Sequence, residues 1–179
     1  WEGVEAAERA GLTPVKLNTV VLRGENDDEL PELVRFAADK RVEIRFIELM
    51  PMGRLGQDKS LQVNNTELIN ARPHLKPLVP RYPSQPSRDY KVDGYLGRVG
   101  FISPHSQKFC NLCNRVRLMS DGKLRMCLGD NTEISILDAL QIGEGALEEV
   151  IREAILNKPM QHHFEETFIP NKNMSKIAG

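Results

Sequence analysis

The sequence contains little of what distinguishes secreted, membrane-bound or nucleic-acid-binding proteins. Its 179 residues include only three cysteines, and the formal net charge is −1. No apolar run reaches the roughly 20 residues that a membrane-spanning helix requires, and no signal peptide is visible. Three cysteines in one stretch do not suit a disulfide framework and are typical of an intracellular metal site. We therefore expect a cytoplasmic protein with neither nucleic acid nor membrane among its partners.

Two apolar, β-branched runs, at residues 15–22 and 42–50, indicate buried parallel strands. A helix that ends at Gly11 precedes the first run, and a helix from about Asn26 to Lys40 separates the two. This α-β-α-β order predicts an α/β fold with a parallel sheet. Because two strands cannot close a barrel, we expect the rest of this sheet to lie outside the chain.

The composition changes after Pro51, so residues 1–50 and 51–179 are predicted to be separate domains. Five prolines between residues 73 and 90 favour an irregular or edge-strand connection there. The other predicted elements are a loop at 51–60, a short helix from Asn65, a strand at 97–102 and two amphipathic helices at 134–142 and 144–157.

The three cysteines, Cys110, Cys113 and Cys127, have the spacing C-x2-C-x13-C. Turn-forming residues at 120–123 separate two apolar-alternating runs, which predicts a hairpin that brings the third sulfur to the other two. Three ligands are one fewer than a structural zinc or a saturated iron–sulfur cluster usually has, so one metal position would be open. The alternative is a zinc site of three cysteines and one histidine, the candidates being His105, His162 and His163.

Cationic side chains at regular spacing are the second signal. Lys16 and Asn18 share one face of the first predicted strand, and Arg45 repeats the pattern in the second. A solvent-facing edge strand would account for Lys16 equally well, whereas a cavity shared with Arg45 would suit an anionic group such as phosphate. Arg115 and Arg117 follow the second cysteine and would share a face beside the metal. Their charge either balances the thiolates or binds an anionic substrate.

The stretch Phe109–Leu118, with the sequence FCNLCNRVRL, is followed by Asp-Gly-Lys-Leu at 121–124 and by Cys-Leu at 127–128. Together these residues resemble the C-terminal cluster motif of the radical S-adenosylmethionine GTP 3′,8-cyclases of molybdenum cofactor biosynthesis. The runs Val15–Val21 and Ile44–Met50 are similar to two strands of the same enzymes. The resemblance covers the whole chain and is weakest between about residues 55 and 95.

The resemblance implies an incomplete (α/β)6 barrel of the TIM kind and a C-terminal α+β iron–sulfur domain. Residues 1–50 would supply the last βα units of that barrel, and residues 51–179 an auxiliary-cluster and GTP-binding domain. The implied activity converts GTP to (8S)-3′,8-cyclo-7,8-dihydroguanosine 5′-triphosphate, the first step of molybdenum cofactor biosynthesis. The family uses S-adenosylmethionine and two 4Fe-4S clusters for this lyase reaction.

By the same resemblance, the three cysteines hold the second 4Fe-4S cluster, whose open iron accepts the guanine of GTP. Two further sets of residues would bind small molecules. Those matching GTP contacts are Lys16, Arg45, Arg115, Val116 and Arg117, and those matching S-adenosylmethionine contacts are Met50 and Asn18.

The chain departs from the family pattern in two places. The C-x3-C-x2-C motif of the first cluster is absent, since no cysteine precedes Cys110. We therefore expect the substrate-binding half of the enzyme, without catalytic residues of its own and inactive without its N-terminal half. The family's terminal Gly-Gly is replaced by Ala178-Gly179.

The resemblance also implies a homodimer at full length and transfer of the product to cyclic pyranopterin monophosphate synthase. The alternatives are a structural zinc-binding module and another radical enzyme with an auxiliary cluster. Enzymes of the latter kind typically carry more than three cysteines in this region.

Overall fold

The chain folds as two units, which the computed structural model describes over residues 2–164, 168–172 and 174–177. The first unit comprises Trp1–Leu49 and Lys59–Phe109, and the second comprises Met50–Asp58 and Cys110–Gly179. The helices are α1 (Glu2–Arg9), α2 (Leu30–Asp39), α3 (Gly53–Gln57), α4 (Asn65–Asn70), α5 (Ile136–Ile142), α6 (Glu144–Leu156) and α7 (Met174–Ile177). The strands are β1 (Val15–Val21), β2 (Val42–Glu48), β3 (Lys76–Pro77), β4 (Ser87–Lys91), β5 (Arg98–Ile102), β6 (Arg117–Leu118), β7 (Lys123–Arg125) and β8 (Glu133–Ser135).

A five-stranded sheet organises the first unit, in the order β1-β2-β5-β4-β3. β1, β2 and β5 are parallel, and β4 and β3 are antiparallel to their neighbours. The predicted α/β class and the parallel pairing of the first two strands are confirmed. The crossover through α2 makes that pairing possible, because parallel neighbours need a connection long enough to return to the starting edge.

The compact units divide the chain differently from the boundary predicted at residue 50. The strand expected at 97–102 forms as β5, and it pairs with β2 in the register Arg45↔Gly100. Residues 59–109 consequently lie in the same unit as residues 1–49. Two strands more than fifty residues apart in the sequence share hydrogen bonds here, and no local pattern records such a pairing.

One face of the sheet carries the core of the first unit. Ile44, Phe46 and Phe101 are buried there, with the two phenyl rings 5.6 Å apart between centroids. Leu30 and Val34 on α2 cover this face. Full burial of each such side chain contributes about 1.5–3 kcal/mol to the stability of this unit.

The second unit contains the predicted hairpin, as strands β6 and β7. Its turn is closed by hydrogen bonds from Met119 N to Lys123 O at 2.9 Å and from Gly122 N to Met119 O at 3.0 Å. Gly122 has a φ of +72°, a conformation that glycine adopts without a steric penalty. The hairpin prediction is confirmed, and β8 adds a third antiparallel strand beside β7.

The helix predicted from residue 134 begins later, at Ile136, because residues 133–135 are used as β8. Ser135 ends that strand and caps α5, since its hydroxyl accepts a hydrogen bond from Asp138 N at 3.3 Å. Gly143 separates α5 from α6, as predicted.

No helix among the described residues has the length and apolar character to span a bilayer. The predicted departure at Ala178-Gly179 lies outside the described residues.

Candidate functional site

The first unit has a polar sheet face opposite its core. The register places Lys16 beside Glu43 and Asn18 beside Arg45, so the three residues predicted to share a face do share one. Lys16 and Asn18 are exposed on β1, an edge strand of the described sheet, whereas Arg45 is half-buried on β2. The sequence pattern therefore identified the face correctly, although Arg45 is the only one of the three that is partly shielded from solvent.

Arg45 is fixed by a buried carboxylate. Its Nη2 donates to Glu43 Oε2 at 3.0 Å, and the Glu43 side chain is only 5% exposed. Arg81 binds the other oxygen of Glu43, and this hydrogen bond raises the pKa of Arg81 above its ordinary value. The Nε of Arg45 is buried and has no hydrogen-bond partner among the described residues. The Glu43 carboxylate is therefore shared by two guanidinium groups, and the Nε–H of Arg45 remains without a hydrogen bond to a described residue.

Sequence reasoning missed Glu43 and Arg81. Arg81 lies in the proline-rich connection, 38 residues from its partner, and an irregular segment gives no signal of where its side chains point. Glu43 alternates with Arg45 on the same strand face, and that alternation could have identified it as a candidate counter-charge.

Gly100 makes room on the same face for two buried polar groups. A Cβ at this position would lie 2.3 Å from Ser87 Oγ and 2.9 Å from Asp89 Oδ1. The Asp89 carboxylate accepts hydrogen bonds from Ser87 Oγ at 2.6 Å and from Gln85 Nε2 at 3.1 Å. The centre of this face is thus a packed polar surface rather than a solvated one.

Glu48 ends β2 and fixes the segment that leads toward the cysteines. Its buried carboxylate accepts hydrogen bonds from Asn65 N at 3.0 Å, His105 N at 2.9 Å and Ser106 N at 3.1 Å. The His105 ring nitrogen Nε2 lies 3.1 Å from Leu49 O. This histidine, a candidate zinc ligand from the sequence, is used in the first unit as a structural contact.

The three cysteines are free, half-buried thiols in the second unit. Cys110 begins a single 3-10 turn, with Cys113 N donating to Cys110 O at 3.0 Å, and Cys127 follows β7. Burial raises the pKa of the Cys127 thiol, and the neighbouring Cys110 and Cys113 raise it further. Cys127 is thus near enough to Cys110 and Cys113 for their charges to act on it, and a shared metal centre stays a prediction.

Three thiols are the kind of protein donor set that an iron–sulfur cluster uses. No group of three histidine, cysteine or acidic side chains within the described part of the chain is arranged to hold one metal ion. A single zinc needs all its sulfurs at about 2.3 Å, whereas a cluster binds each thiolate through a different iron. His162, another candidate zinc ligand, is buried and packs on Phe164 with ring centroids 4.4 Å apart.

Two arginines accompany the thiols. Arg115 Nη1 lies 3.9 Å from Cys113 Sγ. Burial lowers the pKa of Arg117, an effect that the nearby Cys127 opposes and Arg115 reinforces. Arg115 precedes β6 and Arg117 begins it, and the exposed Val116 lies between them.

Lys158 was not predicted, although it supports this region directly. Its ammonium donates to Arg115 O at 2.9 Å and also to Met126 O, next to the third cysteine. The positive charge of Lys158 also lowers the pKa of Cys127, and this opposes the effect of burial. A lysine just beyond the end of a helix carries no sequence signal for such a role.

A polar network ties residues 171 and 172 to the three-stranded sheet. Arg125 is fully buried, donates from Nη2 to Glu133 Oε1 at 3.0 Å and also contacts Asn171. Lys172 donates to Asp121 and to Glu133, each at 2.8 Å. Residues 171 and 172 are therefore held against the hairpin that carries the third cysteine.

The remaining predicted residue, Met50, is half-buried in an apolar cluster of the second unit with Met52, Leu128, Phe164 and Ile177. The structure thus places the predicted small-molecule residues in two groups. Lys16, Asn18 and Arg45 belong to the first unit, and Met50, Arg115, Val116 and Arg117 to the second. No described contact tests what any of them binds.

Comparison with known proteins identifies relatives for this arrangement. Residues 42–164 match the family model Molybdenum Cofactor Synthesis C. The chain is 44% identical over 184 residues to the GTP 3′,8-cyclase of Alkaliphilus oremlandii, covering 99% of this chain and 56% of that protein. The corresponding enzyme of Moorella thermoacetica is 42% identical over 185 residues, with 100% and 57% covered. That of Pseudomonas putida is 42% identical over 171 residues, with 91% and 51% covered, so the chain spans about half the length of these curated relatives.

Proposed function

This chain belongs to the Molybdenum Cofactor Synthesis C family, and from that premise we propose that it is the GTP-binding half of a GTP 3′,8-cyclase. The observation that carries the proposal is the group of three free, half-buried thiols with Arg115 and Arg117 beside them. The predicted resemblance to this family is confirmed. The activity, substrates and partners of a whole enzyme are carried over to this chain as proposals.

Cys110, Cys113 and Cys127 would hold a 4Fe-4S cluster, as the free thiols and the surrounding cations allow. When bound, such a cluster supplies one iron without a protein ligand, which can accept a nitrogen or oxygen of guanine. Lys158 would keep the strand after the second cysteine and the strand before the third in place, through its two carbonyl contacts.

By the family resemblance, cations in each unit would contact GTP. Arg115 and Arg117 would act from the cysteine segment, with the main chain of Val116 between them, and Lys16 and Arg45 from the sheet. Glu43 keeps the Arg45 guanidinium in one orientation, so less side-chain freedom is lost when a phosphate binds. Met50 and Asn18 would contact S-adenosylmethionine.

The first unit would be the last part of an incomplete (α/β)6 barrel. The parallel strands β1 and β2 carry their core face under α2 and a polar face on the opposite side. In barrels of this kind the helices lie outside and the strand residues opposite them point inward. The polar face with Arg45 would therefore face the interior, and the cysteines of the second unit would hold the cluster.

Cofactor loading tests the proposal. After anaerobic reconstitution with iron and sulfide, we expect about four irons and four sulfides per chain and a broad visible absorption band of a cluster. Each of the variants Cys110→Ala, Cys113→Ala and Cys127→Ala should lose this absorption. Recovery of one tightly bound zinc and no iron would favour the structural zinc module instead.

We also propose the cytoplasm as location, a homodimer for the full-length enzyme, and cyclic pyranopterin monophosphate synthase as the recipient of the product. These follow from the family resemblance alone. Sedimentation of a full-length protein that includes this chain tests the dimer, since a monomer would contradict it.

A further inference from the structure

A second concentration of positive charge lies on the first unit, and it shares Glu43 with the polar face described above. It is an open cleft of about 370 Å³. The charged side chains that line it are Arg41, Glu43, Arg81, Lys91 and Arg98. Neither Lys16 nor Arg45 lines it.

The cleft is built at the amino ends of parallel strands, on rigid backbone. Arg98 opens β5, and the preceding Gly97 donates from its N–H to Ala37 O at 2.8 Å. A Cβ at Gly97 would lie 2.3 Å from Val42 O, so only glycine allows this close approach. The start of β5 is thereby fixed against the end of α2 and the start of β2, and the Cα of Arg98 with it.

The charges in the cleft do not cancel. Glu43 is already bound by both Arg45 and Arg81. The side chains of Arg41, Lys91 and Arg98 make no hydrogen bond or ion pair with any residue that the structure describes. Like charges gathered around one already neutralised carboxylate repel each other, and a bound anion would remove that repulsion.

We propose that this cleft binds a phosphate-bearing anion, with Arg98 and Lys91 as its principal contacts. Glu43 acts as a positioning residue, because it holds the Arg81 guanidinium at the edge of the cleft. A half-buried guanidinium suits a phosphate, since its planar fork can donate two parallel hydrogen bonds. The anion is a di- or triphosphate group, free or carried by a nucleotide. The proposal does not depend on the proposed function, because its principal contacts are not among the residues assigned to GTP.

Isothermal titration of the full 179-residue chain with inorganic triphosphate, at low ionic strength where exposed charges are least screened, tests this site. We expect Arg98→Gln to weaken binding about tenfold, the scale of one charge-assisted hydrogen bond. Lys91→Gln should act in the same direction. Arg88→Gln is the matched control, because it removes an exposed cation of the same sheet that does not line the cleft. Circular dichroism shows whether each variant is folded, and Lys91→Gln keeps the test decisive if Arg98→Gln is not.

A parallel titration with GTP identifies the source of the phosphate. If Arg98→Gln weakens GTP and triphosphate by the same factor, the cleft receives the phosphates of a nucleotide. If it weakens triphosphate alone, the ligand is a free polyphosphate. The proposal is overturned if wild-type protein does not bind triphosphate, or if Arg98→Gln and Lys91→Gln weaken binding no more than Arg88→Gln. Iron loading of the cysteines is measured separately, so failure of this site and failure of the proposed function are distinguishable.

Discussion

Replacing Glu43 by glutamine should destabilise the first unit more than any comparable change of an exposed carboxylate. Glu43 is 5% exposed and accepts hydrogen bonds from Arg45, which is 16% exposed, and from Arg81, which is 37% exposed. The substitution keeps the size of the side chain and removes its charge. Two guanidinium groups then share a neutral amide.

The magnitude follows from the burial of the two arginines. Breaking a buried ion pair by removing one partner costs about 3–5 kcal/mol, because the other charge is left uncompensated. Arg81 is partly exposed and can turn toward water, and the glutamine oxygen can still accept one hydrogen bond. Arg45 cannot hydrate to the same extent, since its Nε is already buried without a partner. We therefore expect the low end of that range, about 3 kcal/mol.

Urea unfolding monitored by circular dichroism measures the change. The control is Asp93→Asn, which removes a carboxylate from the Lys76 pair of the same unit, where the two side chains are 63% and 75% exposed. Exposed pairs of this kind contribute about 0–1 kcal/mol. The double variant Glu43→Gln/Arg45→Gln should cost less than the sum of the single changes by about 0.5–3 kcal/mol, because it removes both members of the pair.

Two results would refute this reasoning. The first is a loss of stability for Glu43→Gln no larger than that for Asp93→Asn. The second is strict additivity in the double variant, which would show that Glu43 does not act through Arg45.

Three further outcomes follow from the second unit. With the cluster loaded, Arg117→Ala should weaken GTP binding by about 1.5–3 kcal/mol, the scale of a hydrogen bond to a charged group, and an unchanged affinity by titration would remove Arg117 from the site. The Lys172 contact lowers the pKa of Asp121, so this contact should stabilise the fold above the carboxyl's ordinary pKa and be lost as pH falls through the lowered one. The urea midpoints of wild type and Asp121→Asn should accordingly converge at acid pH, and a constant difference down to that range would contradict the assignment. The chain alone should yield no 5′-deoxyadenosine from S-adenosylmethionine after cluster loading and reduction. Product above the no-protein control that is absent in Cys127→Ala would show that this cluster cleaves S-adenosylmethionine.

Local sequence pattern was sufficient wherever the determining contacts are themselves local. The alternation of Lys16 and Asn18 put both on one face of β1, and the turn at 120–123 produced the hairpin of β6 and β7. The start of α5 could also be predicted from the sequence, because a serine followed three residues later by an acid is a helix-start pattern, as at Ser135 and Asp138. The apolar period alone places the start at residue 134, two residues before the observed one.

The rest depends on residues far apart in the sequence. The parallel pairing of β5 with β2 decides which unit the middle of the chain joins. This pairing cannot be predicted from the residue pattern of either strand alone. Arg81 and Lys158 reach their partners across 38 and 43 residues, from segments without periodicity or beyond the end of a helix. Charged side chains of this kind are ordinarily solvated, so their roles emerge only when the fold places a buried acceptor beside them.

The cations proposed to bind GTP would contribute to binding in different ways, because their surroundings differ. Arg45 is already matched by the Glu43 carboxylate, so a phosphate gains hydrogen bonds from a preset guanidinium and little additional net charge. Arg115 and Arg117 stand beside thiols that carry negative charge once a cluster is bound, which offsets part of their attraction for a triphosphate. Lys16 is exposed and has no described partner, and its full charge is available, although solvent screens it. Arg45 would therefore mainly fix the position of the phosphate. Lys16 would contribute the part of the affinity that depends on salt concentration.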